Sequence, residues 1–202
     1  MSMEIKKVAV LGTGVMGSQI AAHLTNAGIE VFAFDMTQEV ASEGIENCKK
    51  LKPSPYYNFK SSDLITACNY NDHLDRIKEC DWVVEVISER LDWKQDLYKK
   101  IIPYLNNDCI VTSNTSGISL QNLSKGLPDD FLNKFFIVFF SGFIDAPIDF
   151  ILPFATPIIP PPCILNGFCI LPTDGAPTMN RFALLRIPVP LASIFFKGFT
   201  TL

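Results

Sequence analysis

Histidine is almost missing from this chain, which carries only His23 and His73. Its six cysteines, Cys48, Cys68, Cys80, Cys109, Cys163 and Cys169, include no C-x-x-C pair and no zinc-ligand spacing, so no metal centre is expected. Scattered thiols, with no signal peptide ahead of Lys6-Lys7, fit reduced cysteines in a cytoplasm. There is no excess of positive charge either. A net charge of −4 gives no case for nucleic acid or an anionic membrane surface as partner. Glutamate stops at Glu89, and 113 further residues of the 202 contain none.

That last absence belongs to a break in the chain. Of 17 Lys and Arg and 21 Asp and Glu, only six lie after residue 136: Asp145, Asp149, Asp174, Arg181, Arg186 and Lys197. Ten of the 14 prolines lie after residue 140, including Pro160-Pro161-Pro162. Proline at this density removes hydrogen-bond donors from any ladder and breaks any helix, so residues 137–202 are expected to be an irregular, apolar, proline-rich tail. Residues 1–136 are expected to form a domain of their own.

What is present in that first part is specific. Lys7-Val8-Ala9-Val10-Leu11 is apolar without alternation, as in a parallel strand buried on both faces. Gly12-Thr13-Gly14-Val15-Met16-Gly17 follows, and Glu30-Val31-Phe32-Ala33-Phe34-Asp35 makes a second strand that ends on an acid. Strand, glycine turn, helix and acid-tipped strand form a dinucleotide-binding unit. Gly12 permits the tight turn, Gly14 lets the backbone approach a pyrophosphate, and Gly17 lets the helix pack against the strand. The helix from Val15 to about Asn26 aims its N-terminal amides at that phosphate. Asp35 can accept the hydroxyls of an adenosine ribose and would repel a 2′-phosphate, so NAD is expected rather than NADP.

Further elements alternate. Thr37 can cap a helix to about Lys50, residues 64–68 read as a third strand, and 72–80 as a short helix with Leu74 and Ile77 inward. Residues 81–87 are a fourth strand, and Arg90 to about Leu105 an amphipathic helix with Leu91, Leu97, Tyr98, Ile101 and Ile102 inward. Residues 109–113 are a fifth strand and 119–125 a short helix. The expected fold is α/β, a Rossmann-type doubly wound parallel sheet in the order 3-2-1-4-5, with ligands beyond the carboxyl ends of the strands. Two of those ends carry candidate chemistry. Ser88-Glu89-Arg90 with Lys94 follows strand four, although an acid early and a base later also suit an ordinary helix start. Asn114-Thr115-Ser116-Gly117 follows strand five, although such residues also simply close turns.

Taken together, G-T-G-V-M-G, the Asp35 strand end, V-V-E-V-I-S-E-R-L-D-W-K and S-N-T-S-G-I resemble the NAD-binding domain of 3-hydroxyacyl-CoA dehydrogenases. K-L-K-P-S-P-Y-Y is similar to the long bacterial forms that also carry an enoyl-CoA hydratase/isomerase region. The resemblance covers about residues 4–136. It implies that Gly12, Thr13, Gly14, Val15, Met16 and Gly17 hold the pyrophosphate, Asp35 the ribose, and that Glu89 and Lys94 line the nicotinamide side. It implies that Asn114 orients the reacting groups and that Ser116 hydrogen-bonds the 3-oxygen of a 3-hydroxyacyl-CoA. The implied reaction is oxidation of that substrate in fatty-acid β-oxidation by hydride transfer to NAD.

One departure matters. After Phe136 the family continues with a glycine and H-F-F-N-P, its histidine being the base, held by a downstream glutamate. This chain has Ile137-Val138-Phe139-Phe140-Ser141-Gly142, with no histidine or glutamate beyond, and no counterpart of the helical domain that completes the acyl-CoA cleft and the dimer. An impaired catalyst is expected, or a non-catalytic NAD-binding or interaction module. For the tail, three readings stand: out-of-frame translation, which explains composition, lost periodicity and early stop together; a proline-rich interaction segment; and a membrane anchor over Phe150–Thr173. Six prolines in that uncharged window count against the anchor.

Overall fold

The computed structural model describes residues 3–140 and the short strands at 168–171 and 185–186. In chain order the elements are β1 (Met3–Glu4), β2 (Lys7–Leu11), α1 (Val15–Asn26), β3 (Glu30–Asp35), α2 (Gln38–Lys49) and β4 (Ile65–Asn69). There follow β5 (Trp82–Glu85), α3 (Leu91–Ile101), β6 (Ile110–Ser113), α4 (Leu120–Ser124), α5 (Asp129–Leu132), β7 (Phe135–Phe140), β8 (Phe168–Leu171) and β9 (Leu185–Arg186). The main sheet runs β4-β3-β2-β5-β6-β7-β8. Its first six strands pair in parallel, and β8 joins antiparallel. β1 and β9 pair separately. The order expected for the first five strands is the order observed.

Strand periodicity divides the core. Along β2, Val8 and Val10 join a cluster with Ile20, Leu24 and Trp82, whereas Ala9 and Leu11 join one with Phe34, Tyr98 and Ile101 on the other face. Both faces are covered by helices, which is why the strand shows no polar alternation. On the second face Tyr98, Phe131 and Phe135 pack in tilted and edge-on pairs with ring centroids 4.9 to 5.7 Å apart and tie α3 to α5 and β7.

Several expectations need correction. The sheet does not stop at residue 136, because β7 runs on to Phe140, paired in parallel with β6 as far as Ile137 and antiparallel with β8 from there. The loss of charge falls inside this strand, and an interior strand needs none. The short helix expected over residues 72–80 is present as a 3-10 helix over Leu74–Glu79, with Leu74 and Ile77 buried as expected at the i, i+3 spacing such a helix eclipses. His73 therefore precedes a helix instead of lying in one, and its Nδ1 accepts from the Asn69 amide. The helix from residue 90 ends at Ile101 and tightens into a 3-10 turn at Ile102–Tyr104, where Pro103 supplies no amide. Leu91, expected inward, is exposed. Thr37 caps α2 as expected, its hydroxyl accepting from the Val40 amide. Of the tail, β8 and β9 are paired strands; its remaining residues after Phe140, including most of the Phe150–Thr173 window, lie outside the described residues. Among the described residues no helix is long and apolar enough to cross a membrane.

Candidate functional site

The glycine loop between β2 and α1 has three different reasons for its three glycines. Gly12 has φ +105, and a Cβ there would lie 2.8 Å from the Val86 carbonyl oxygen. A Cβ at Gly17 would lie 1.9 Å from the Gly12 carbonyl oxygen, so α1 can dock on the turn only with glycine there. Gly14 is the opposite case, with nothing within 4 Å. It caps α1 with no side-chain hydrogen bond and no acid in the first turn, leaving that helix end with free amides over open space. Val15 is exposed and Met16 half-buried beside it, while Thr13 is buried. A fourth glycine, Gly44 on α2, escaped sequence reasoning. A Cβ there would lie 2.3 Å from the Thr13 carbonyl oxygen, so α2 presses directly on the loop.

Asp35 ends β3 against this loop. Its Oδ2 accepts from the Thr13 amide at 2.8 Å and the Thr13 hydroxyl at 2.7 Å, and its Oδ1 from the Met36 amide at 2.8 Å. A carboxylate has about four acceptor positions, so Oδ1 keeps one for an incoming hydroxyl. Open space above uncapped amides, flanked by a fixed carboxylate, is a cradle that a dinucleotide's pyrophosphate and ribose fit.

Beyond β5 and β6 the structure assembles a buried polar cluster. Glu85 and Lys94 are both fully enclosed, and the Lys94 ammonium lies 2.6 Å from Glu85 Oε1. The same oxygen accepts from the Ile87 amide, while Oε2 accepts from the Tyr98 and Ser113 hydroxyls, each at 2.6 Å. Lys94 also donates to the Ile87 carbonyl and faces Glu89 Oε2 at 3.4 Å. Glu89 Oε1 gathers the Thr115 hydroxyl and the amides of Ser116 and Gly117, both at 2.8 Å. Asn114 donates its amide to the Glu85 carbonyl oxygen, and Ser116 is exposed on the turn. The two strand ends expected to carry chemistry are thus one connected unit. Glu85 was the residue missed; its signal was a charge inside a strand otherwise apolar, nine positions before a lysine.

Electrostatics follow from these contacts. Partial burial pushes the Glu89 carboxyl up, but hydrogen bonds from Thr115, Gly117 and Ser116, with the Lys94 charge, outweigh it and hold it below the usual carboxylate range. Burial pushes the Tyr98 phenol far up, and the Glu85 charge adds to it, so Tyr98 is a donor at any physiological pH. Cys48, Cys68, Cys80 and Cys109 are free and buried, and burial pushes the Cys109 thiol up to about 12. His23 lies on α1, its ring pushed down by burial. Among the described residues no group of His, Cys, Asp and Glu could hold a metal ion.

Fold and loop together define a Rossmann-type dinucleotide-binding domain. The family profile described as 3-hydroxyacyl-CoA dehydrogenase, NAD binding domain, matches residues 7–141, and the chain belongs to that family, whose cofactor is NAD. A Rickettsia felis protein named as a fatty acid oxidation complex trifunctional enzyme is 42% identical over 147 residues, which is 69% of this chain and 20% of that protein. A Deinococcus radiodurans protein named as a 3-hydroxyacyl-CoA dehydrogenase is 39% identical over 140 residues, covering 66% of this chain and 40% of that one. The solved 3-hydroxybutyryl-CoA dehydrogenase of Escherichia coli K12 superposes with a TM-score of 0.58 at 21% identity, over 68% of this chain and 30% of its own, and so shares the fold. The chain spans about a fifth of the length of the Rickettsia relatives it matches.

The buried cluster predicts its own cost. Tyr98→Phe removes one of the four donors to an enclosed carboxylate without changing shape. It should lower unfolding free energy by about 1.5–3 kcal/mol, read from urea melts of the variant and parent chains.

Proposed function

We propose that the chain is the cofactor-binding part of an L-3-hydroxyacyl-CoA dehydrogenase of fatty-acid β-oxidation. The observation that carries this reading is the open, uncapped N-terminus of α1 beside the acid end of β3, within a family match over residues 7–141. Bound NAD would supply the hydride acceptor. Around it, Gly12 to Gly17 would hold the pyrophosphate with backbone amides, and Asp35 would accept a ribose hydroxyl on its open Oδ1 position. Glu89 would border the nicotinamide side, with Lys94, fully enclosed beneath it, acting through Glu89. Ser116, exposed on its turn, would donate to the 3-oxygen of a 3-hydroxyacyl-CoA, and Asn114 would orient the reacting groups. Residues 1–136 would form the domain, extended by the last residues of strand β7, and the composition of residues 137–202 fits out-of-frame translation. A cytoplasmic setting fits the reduced cysteines.

A second reading, a non-catalytic NAD-binding or interaction module with an authentic proline-rich tail, is favoured by one observation. Counting along the resemblance, Val138 stands where the family has its histidine, and it is 1% exposed within β7. A buried valine can neither take nor hold a proton.

Three measurements test these readings. Fluorescence titration should show NADH binding in preference to NADPH, because Asp35 opposes the extra phosphate, and Asp35→Ala should weaken NADH and erase the preference. Equal affinities in the parent chain would defeat the assignment. Oxidation of 3-hydroxybutyryl-CoA should fall below ordinary enzyme rates by about 10² to 10⁴ for want of a base; turnover on the order of 10 per second would contradict both readings. Finally, the coding DNA read from codon 137 in its other forward frames should yield a histidine followed by Phe-Phe-Asn-Pro. A gene with no such frame makes the tail authentic and favours the second reading.

A further inference from the structure

Glu85 has no role in the scheme above, yet it is the centre of the bonding between the two strand ends. Its fully enclosed carboxylate takes four donors, from Ile87, Lys94, Tyr98 and Ser113, and its carbonyl oxygen takes the Asn114 amide. An ammonium with no exposure cannot remain charged without a counter-charge, so Lys94 is held where it is by Glu85. From there Lys94 faces Glu89 Oε2, and Glu89 Oε1 gathers the turn Thr115–Gly117.

We propose that Glu85 is a positioning residue for the turn that carries Ser116. With Lys94 it forms a buried pair that fixes the Glu89 carboxylate, and through it the turn, in one place before any ligand arrives. This rests on the assignment of Ser116 and Asn114 to the substrate side. The charged groups around Glu89 are few. Lys94 faces it from α3, with Glu85 of β5 behind; Arg90, its chain neighbour, is turned to Asp92 and stacked 4.3 Å over the Trp93 ring; the turn after β6 brings neutral donors. Because the Glu89 carboxyl is held below its usual range, its grip on the turn is complete at neutral pH and is lost as pH falls through that lowered value.

The test follows the amide proton shifts of Ser116 and Gly117 by NMR in the full chain, from about pH 7 to about pH 3. In the parent chain both should titrate together, with a midpoint below about 4.3, and Glu89→Gln, at a side chain 40% exposed, should abolish the titration. Lys94→Met should raise the midpoint, since Glu89 loses its counter-charge. Glu85→Gln should lower it, since the Lys94 charge then falls on Glu89 alone. Shifts of about half a unit or more in opposite directions are expected; a purely structural role would move both variants the same way, and that result overturns the proposal. Titration surviving in Glu89→Gln overturns it too. Should a single buried variant not fold, the double variant Glu85→Gln/Lys94→Met leaves no orphaned charge. It should exchange the Ser116 and Gly117 amides about tenfold faster than the parent, and unchanged exchange refutes the role. NADH titration separates the claims, because a parent chain that fails to bind NADH sinks the cofactor reading while leaving these amide titrations as they are.

Discussion

Everything at the carboxyl end of this sheet depends on how closely α1 approaches the turn that precedes it. A methyl group at position 17 would sit 1.9 Å from the Gly12 carbonyl oxygen, well inside contact, and one at position 44 would press the Thr13 carbonyl from the other side. The loop is therefore clamped between two helices that each lack a side chain where they meet it. That clamp leaves Thr13 buried and bonded to Asp35 through both its amide and its hydroxyl, so the acid at the tip of β3 is held in place by the loop it serves. Only Gly14 is left with open space around it, and the free amides of α1 look into that space. Close packing at two glycines creates the vacancy at the third.

On the other side of β2 the constraint is electrostatic. Burying a carboxylate and an ammonium together costs desolvation that a well-packed apolar pair would not incur, so the Glu85–Lys94 contact is poor evidence of stability gained. What it achieves is definition. The four donors on Glu85 come from three different elements, β6, α3 and the backbone after β5, and they hold those elements in one register. Directional bonds of this kind fix the turn at Ser116 more narrowly than apolar contact could, since an apolar contact tolerates sliding and a saturated carboxylate does not.

The sequence by itself determined the central β-α-β unit, the order of the first five strands and the acid at Asp35. These are local: apolar runs, glycines at fixed offsets and caps such as Thr37 act within a few residues of where they are written. It also brought Ser116, Asn114, Glu89 and Lys94 into view, as residues at strand ends. It misjudged what ended at residue 136, because a drop in charge is ambiguous between the end of a fold and an interior strand, and β7 is such a strand. Only the tertiary structure decided which of the strand-end residues touch. Lys94, whose place also suited an ordinary helix start, is fully enclosed; Glu85, which drew no reading, is the hub; Gly44, also unread, is a contact point. The reason is the same for all three. Parallel strands that are neighbours in space pair residues 23 or more apart in the chain, and the bonded strand ends lie as far apart, Ser113 from Glu85 and Thr115 from Glu89. No local pattern specifies the partner across such a gap, and pairing of the strands does.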